Sequence, residues 1–228
     1  MNSRNKKTLV AIAVVLLVLL VDQLSKIWVK THMGLYDTIH ITDWFKIYFV
    51  ENNGMAFGIE AGGKLFLSLF RIIAVIFILI YLFRLIKEGF KVGFIACVAL
   101  ILAGASGNII DSLFYGVIFE ASHPGHVASF VPWGEGYTSL LHGKVVDMLY
   151  FPIFSGTFPD WLPFFGGEDF LFFRFIFNVA DSSITVGVIL LLFFYRKTLS
   201  FSLLSKSERA KYEEELKEKE LQKNELSE

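Results

Sequence analysis

Three pairs of polar residues interrupt otherwise apolar stretches of this chain: Asp22 with Lys26, Asn108 with Asp111, and Asn178 with Asp181. Spacings of three and four put each pair on one face of a helix. A further acid, Asp147, sits in Lys144-Val145-Val146-Asp147-Met148-Leu149-Tyr150, where a carboxylate among apolar and aromatic neighbours is costly unless it has a purpose. Two carboxyl groups brought close together cannot both ionise easily. Such a pair holds one proton and acts as base toward water and acid toward a leaving amine, which is the chemistry of an aspartic peptidase. It needs no basic partner, and no Ser/His/Asp grouping of comparable coherence accompanies it.

The elements that must hold these residues are membrane spans. Of the 228 residues 54% are hydrophobic, the mean hydropathy is +0.57, and the apolar residues arrive in long blocks. Four segments, at about 8-29, 65-85, 92-110 and 175-195, reach the roughly twenty residues that a bilayer requires. Basic residues flank them at Arg4, Lys6 and Lys7, at Arg84, Lys87 and Lys91, and at Arg196 and Lys197. The positive-inside rule then puts both termini in the cytoplasm. The run Leu9 to Val21 is followed by Asp22, Gln23 and Lys26 instead of a small-residue cleavage site, so it is expected to stay as a span. The expected fold is an all-α membrane protein: residues 1-204 form a four-helix transmembrane domain with a small extracytoplasmic β-rich cradle and an interfacial loop region. Residues 205-228, rich in Lys and Glu, form a charged cytoplasmic tail. The cradle is expected where Phe45 to Val50, β-branched and aromatic, runs into Asn52, Asn53 and Gly54.

At 1.5 Å per residue, Asp22 stands about 22 Å from Lys7, Asn108 about 26 Å from Lys91 and Asp181 about 22 Å from Arg196. Arg71 lies about 20 Å from Arg84 by the same measure. Any one of these groups can be read as a helix-end residue snorkelling to the interface. Their convergence at one depth points instead to a shared site, because ionisable groups in a membrane need a bundle interior or a wet cavity. A small transporter with Asp22, Lys26, Asp111 and Asp181 as a proton relay is the alternative from another class. Transporters, however, place such groups near the midplane and often show internal repeats, and none is visible here. A presenilin-like protease would carry Tyr-Asp and Gly-x-Gly-Asp signatures in mid-span, which this chain lacks. A catalytically dead lipid-binding scaffold is also compatible with the acids.

The net charge of -1 provides no field to recruit nucleic acid. Cys97, the only cysteine, has no partner for a disulfide within the chain and is expected to pack as a small hydrophobe. His123-Pro124-Gly125-His126 and His142 read as surface loop residues, since proline and glycine spoil a helical ligand face, and no metal site is assigned. Glu120, Glu135, Asp160, Glu168 and Asp169 read as solvated. The stretch from about Asp111 to Arg174, rich in Gly, Pro and aromatics, reads as a membrane-grazing surface.

The ordered motifs Asp22-Gln23-Leu24-Ser25-Lys26, Asn52-Asn53-Gly54-Met55-Ala56-Phe57-Gly58, Gly107-Asn108-Ile109-Ile110-Asp111, Val145-Val146-Asp147 and Phe177-Asn178-Val179-Ala180-Asp181-Ser182-Ser183-Ile184 resemble the lipoprotein signal peptidase (signal peptidase II) family. The resemblance implies a membrane aspartic endopeptidase of the bacterial inner membrane with its active site at the outer face. Its substrate is a prolipoprotein carrying a diacylglyceryl-cysteine, cut on the N-terminal side of that cysteine. By the same resemblance Asp147 and Asp181 are the catalytic dyad and Asn178 orients it. Asn52, Asn108 and Asp111 shape the substrate pocket, and Asp22, Lys26 and Gly54 give structural support. The resemblance implies no cofactor, contact with membrane lipids, binding of globomycin-type inhibitors and no nucleic-acid partner, and a monomer suffices. Two departures stand out. Where the family motif continues from its aspartate into arginine, this chain has Ser112, and Arg71 on the neighbouring span is expected either to supply the missing cation or to snorkel at a helix start. The segments 112-146 and 152-173 are insertions, which dyad geometry should survive because loop closure costs grow slowly with length.

Overall fold

Long apolar helices that keep large side chains exposed make sense only where lipid is the solvent, because inside a bilayer every backbone polar group must be satisfied within the segment. In a computed structural model describing residues 2-53 and 63-225, three such helices stand out. They are α1 (Ser3–His32), α2 (Gly63–Glu88) and a run that begins as α3 (Val92–Ile110) and continues to Ile118. Leu16, Leu17, Phe66, Phe77 and Ile80 all face outward from α1 and α2. After α3 the chain passes through a π-helical turn (Asp111–Tyr115) into the short α4 (Gly116–Ile118).

The fourth expected span is shorter than its hydropathy suggests. Helix α5 (Val179–Phe194) has 16 residues and meets α6 (Arg196–Leu203) at a 92° bend, so the two reach span length only as a pair. Its start falls at Val179, not near 175, because Ile176–Phe177 pair with a strand and Asn178 caps the helix. The tail folds as α7 (Lys206–Glu225).

Helix α3 is the core of the bundle, packing Phe94, Ile95, Val98, Ala99 and Leu102 against Leu82 and Leu85 of α2 and Leu191 of α5. Small residues let the backbones approach. A Cβ on Gly107 would lie 2.6 Å from Asp22 Oδ2, so only glycine lets α1 and α3 meet at that level.

Among the described residues six strands accompany the helices: β1 (Thr38–His40), β2 (Lys46–Asn52), β3 (Val145–Tyr150), β4 (Phe154–Thr157), β5 (Asp169–Phe172) and β6 (Ile176–Phe177). The order β1-β2-β3-β6 forms one antiparallel sheet, and β4-β5 form a separate hairpin. The sheet sits over the helix ends and packs Phe49, Val146 and Met148 against Val29, Tyr115 and Phe119. Strand alternation then turns Asp147 to the opposite face. Between Ile47 and Val50 the β2–β3 register slips, a bulge whose Val50 edge pairs with Asp147 itself.

Candidate active site

Asn178 begins the site. As the N-cap of α5 it accepts the Asp181 backbone N–H on its side-chain oxygen at 2.9 Å, and the Asp181 carboxyl accepts the Asn178 backbone N–H in return. This reciprocal capping fixes where Asp181 points. The side-chain amide of the same Asn178 donates to Asp147 Oδ1 at 2.7 Å, to Asn108 Oδ1 at 3.1 Å and to the Val146 carbonyl at 3.3 Å. Asn108 in turn donates to Asp181 Oδ1 at 2.7 Å. Two amides therefore bridge the carboxyl groups of Asp147, from β3, and Asp181, from the first turn of α5. Asn52, at the end of β2, donates to the other oxygen of Asp147 at 3.2 Å.

Burial pushes the Asp147 carboxyl up, and the neighbouring Asp181 charge pushes it further, to about 7, against the pull of the two asparagine amides. Asp147 therefore keeps its proton to a much higher pH than a free aspartate, the behaviour that a proton-donating member of a carboxyl pair requires.

Beneath the dyad lies a charged cluster with no exposed surface. Lys26 Nζ sits 2.9 Å from both Asp22 Oδ2 and Asp111 Oδ2 and donates to Asn108 Oδ1 at 2.9 Å. Asp22 Oδ1 accepts the Ala180 N–H at 2.8 Å, so a carboxylate of α1 caps the first turn of α5 from outside. Asp111 accepts from Gln23 at 2.9 Å and from the Val146 N–H at 3.3 Å. The π-helical turn that begins at Asp111 is a local irregularity of the kind that gathers at functional sites.

The expected residues thus separate into two groups. Asn52, Asn108, Asp147, Asn178 and Asp181 come together around the dyad. Asp111, expected to shape the substrate pocket, is completely buried with both oxygens engaged inside the protein and is grouped with Asp22 and Lys26 around the lysine ammonium. Ser112 is also buried and bonds back to the Asn108 carbonyl at 3.0 Å. Arg71 is half-buried on α2, within electrostatic reach of Asp181, Asp147 and Asp111, and among the described residues its Nη1 makes no hydrogen bond. Gly54, and with it most of the Asn52 to Gly58 motif, lies outside the described residues.

Sequence reasoning missed two parts. Gln23 joins Asp22, Asp111 and the Gly107 carbonyl and accepts from the Tyr115 hydroxyl; its place inside a charged motif was the available signal. Lys30, expected to open a loop, is wholly buried 2.6 Å from Glu51 Oε1, with Ser122 donating to the same oxygen and Lys144 3.2 Å from Oε2. Burial alone would raise the Glu51 carboxyl, but Lys30 and Ser122 hold it below the usual range. This network pins the long insertion to β2, one residue before Asn52.

A family model described as Signal peptidase (SPase) II matches residues 14–196. The lipoprotein signal peptidase of Porphyromonas gingivalis is 54% identical over 202 residues, covering 88% of this chain and 89% of the relative. That of Amoebophilus asiaticus is 38% identical over 185 residues, covering 78% and 74%. A solved structure described as a bacterial membrane enzyme superposes with a TM-score of 0.55 at 27% identity, covering 83% of this chain and 89% of that one. With apolar helices long enough to cross a bilayer and a model match over most of its length, the chain is a membrane protein belonging to the signal peptidase II family.

Proposed function

We propose that this protein is an aspartic endopeptidase that removes the signal peptide from diacylglyceryl-modified prolipoproteins, cutting on the N-terminal side of the lipidated cysteine. The observation that carries this reading is the amide bridge: Asn178 and Asn108 tie Asp147 to Asp181 so that both carboxyl groups address one space. In the proposed reaction a water lies between them. Asp181, as carboxylate, takes one proton from it while the oxygen attacks the scissile carbonyl and protonated Asp147 donates to the developing oxyanion. As the resulting gem-diol collapses and the C–N bond breaks, Asp181 gives its proton to the leaving amine nitrogen and Asp147 regains one from the gem-diol hydroxyl. Asn52 and Asn178 hold Asp147, Asn108 holds Asp181, and Arg71 contributes a cation toward the substrate backbone. No cofactor takes part.

In this reading α1, α2, α3 and the α5–α6 pair are four spans of the bacterial inner membrane. Both termini are cytoplasmic and the dyad lies at the outer face. The diacylglyceryl chains enter from the bilayer, where lipid solvates lipid, while water reaches the dyad from outside. Internal pairing of Asp22, Lys26 and Asp111 favours a peptidase over a proton relay, which would need those groups free to exchange protons. A single chain is a complete enzyme, and globomycin-type inhibitors occupy the same pocket.

The test is cleavage of a lipidated precursor peptide by the full chain in vesicles. Asp147→Asn and Asp181→Asn each abolish cleavage while leaving insertion and helix content unchanged, and an unlipidated precursor is not cut. Cleavage retained in either variant refutes the dyad.

A further inference from the structure

The hairpin β4–β5 is a small amphipathic sheet with nothing in the described protein covering its apolar side. Its register opposes Phe154 to Phe172 and Gly156 to Phe170, which places these aromatic rings on one face. The rings form a run: Phe154 stacks on Phe172 at 4.7 Å, Phe158 lies 4.7 Å from Phe170, and Phe165 at the tip lies 6.0 Å from Phe158. The opposite face carries Ser155, Thr157 and Asp169 with the single aliphatic Leu171, Thr157 donating to Asp169 at 2.8 Å. Beyond the strands, Trp161 is 79% and Phe164 97% exposed. The tip holding them is tied by hydrogen bonds from Gly166 to the Leu162 carbonyl and from Gly167 to the Phe158 carbonyl, so the exposure is built in.

We propose that this hairpin is a membrane-interface anchor whose aromatic face and tip lie in the bilayer leaflet next to the sheet. A lone two-stranded hairpin is marginal in water, so its apolar face needs a cover. Three observations identify the cover as lipid. The hairpin leaves β3 after Tyr150 and returns to β6 at Ile176, which pair with each other immediately before the cap of α5; its roots therefore stand at the end of a membrane helix. Its aromatic surface runs on through Phe173, packed against Phe175 and Phe177, to the residue before the cap of α5, a helix whose own flank exposes Val186 and Ile189. The anchoring residues are the strand-face rings together with Trp161 and Phe164 of the tip, side chains that settle at headgroup level, where the exposed Asp160 and Glu168 of the tip also stay hydrated. Anchored there, the hairpin holds β3 and β6 at a constant depth.

This goes beyond the peptidase reading, and its test needs no substrate. The full chain is placed in vesicles of phosphatidylcholine and phosphatidylglycerol whose lipids carry bromine near the headgroup. The Trp161 signal is obtained as wild type minus Trp161→Phe. The expected result is at least about a twofold loss of that signal relative to unbrominated vesicles, as for an aromatic at the interface. An unquenched signal overturns the proposal, whether aqueous iodide quenches it, as for a hairpin in water, or does not, as for one covered by a second copy. Should Trp161→Phe fail to fold, a polarity-sensitive dye at Phe164→Cys in a Cys97→Ala background gives the same reading. Blue-shifted emission supports insertion, and water-like emission overturns it.

Discussion

Asn178 donates its side-chain amide to Asp147 at 2.7 Å with the same side chain whose oxygen caps α5 by accepting the Asp181 N–H at 2.9 Å. One residue thus couples the start of a helix to a carboxyl on a strand 31 positions earlier. The coupling explains how a dyad assembled from a sheet and a helix keeps its geometry: any movement of the β3 edge away from α5 must break the cap or the amide bond. Asp22, capping the Ala180 N–H from α1, locks the same turn from the other side.

Activity should depend on pH through Asp147. Its carboxyl is pushed to about 7, from 3.8 for a free aspartate, by burial and by Asp181. The singly protonated dyad is lost as pH rises through that value, so kcat/KM falls on the alkaline side with a midpoint near 7. Stability follows the same sign. The folded protein holds this proton where the unfolded chain has released it, so between pH 4 and 7, rounding the two pKa values, stability declines as pH rises. Asp147→Asn removes that slope. Melting curves in detergent across the range check it, and an identical slope in the variant would contradict the assignment.

Asn178→Ser keeps an N-cap of comparable strength but removes the amide that reaches Asp147 and Asn108. With the cap kept, stability should fall only by about 1–3 kcal/mol, the cost of buried acceptors left without their donor. Cleavage should fall about a hundredfold, the scale expected when a reacting group is displaced by about an ångström. A loss of kcat with KM retained marks an orienting role, whereas equal losses of stability and activity would make Asn178 simply a cap.

Asp22, Asn108, Asp111, Asp147, Asn178 and Asp181 were legible in the sequence because each interrupts an apolar stretch where a polar side chain is expensive, whereas Asn52, between Glu51 and Asn53, was marked only by the family resemblance. Their division was not. Asp111 has the same spacing to Asn108 that Asp181 has to Asn178, yet it points inward to Lys26 and Gln23 instead of toward the dyad. Lys30 read as the first loop residue, because its partner Glu51 comes 21 residues later and no local spacing announces the pair. The start of α5 was placed too early, since Phe175, Ile176 and Phe177 have the same hydropathy in a strand as in a span. The hairpin escaped for a related reason: its aromatic face is split between Phe154 and Phe170–Phe172, with an irregular tip between them, so no short window shows the alternation.

Lys26→Met should be among the most damaging single changes, because it leaves Asp22 and Asp111 buried together without their cation. Breaking a buried pair this way costs about 3–5 kcal/mol. Adding Asp111→Asn to Lys26→Met removes one of the stranded charges and should recover part of the loss. Denaturation of the single and double variants in detergent measures the coupling. Strictly additive effects would mean that Lys26 stabilises the bundle by packing alone.

Arg71 gives the sharpest test of substrate contact. Its guanidinium lies within electrostatic reach of both dyad carboxyls, but its Nη1 makes no hydrogen bond to the described residues, so it is available to a peptide carbonyl. A hydrogen bond from a charged donor contributes about 1.5–3 kcal/mol, or about 10- to 100-fold in kcat/KM. Arg71→Ala should lose that factor. Arg71→Lys, keeping the charge but not the planar fork, should recover only part of it. The stability of both variants should match wild type, since no internal bond of Nη1 is lost. Cleavage of the lipidated precursor at the wild-type rate by Arg71→Ala would assign this arginine to the lipid interface and leave recognition to the asparagines.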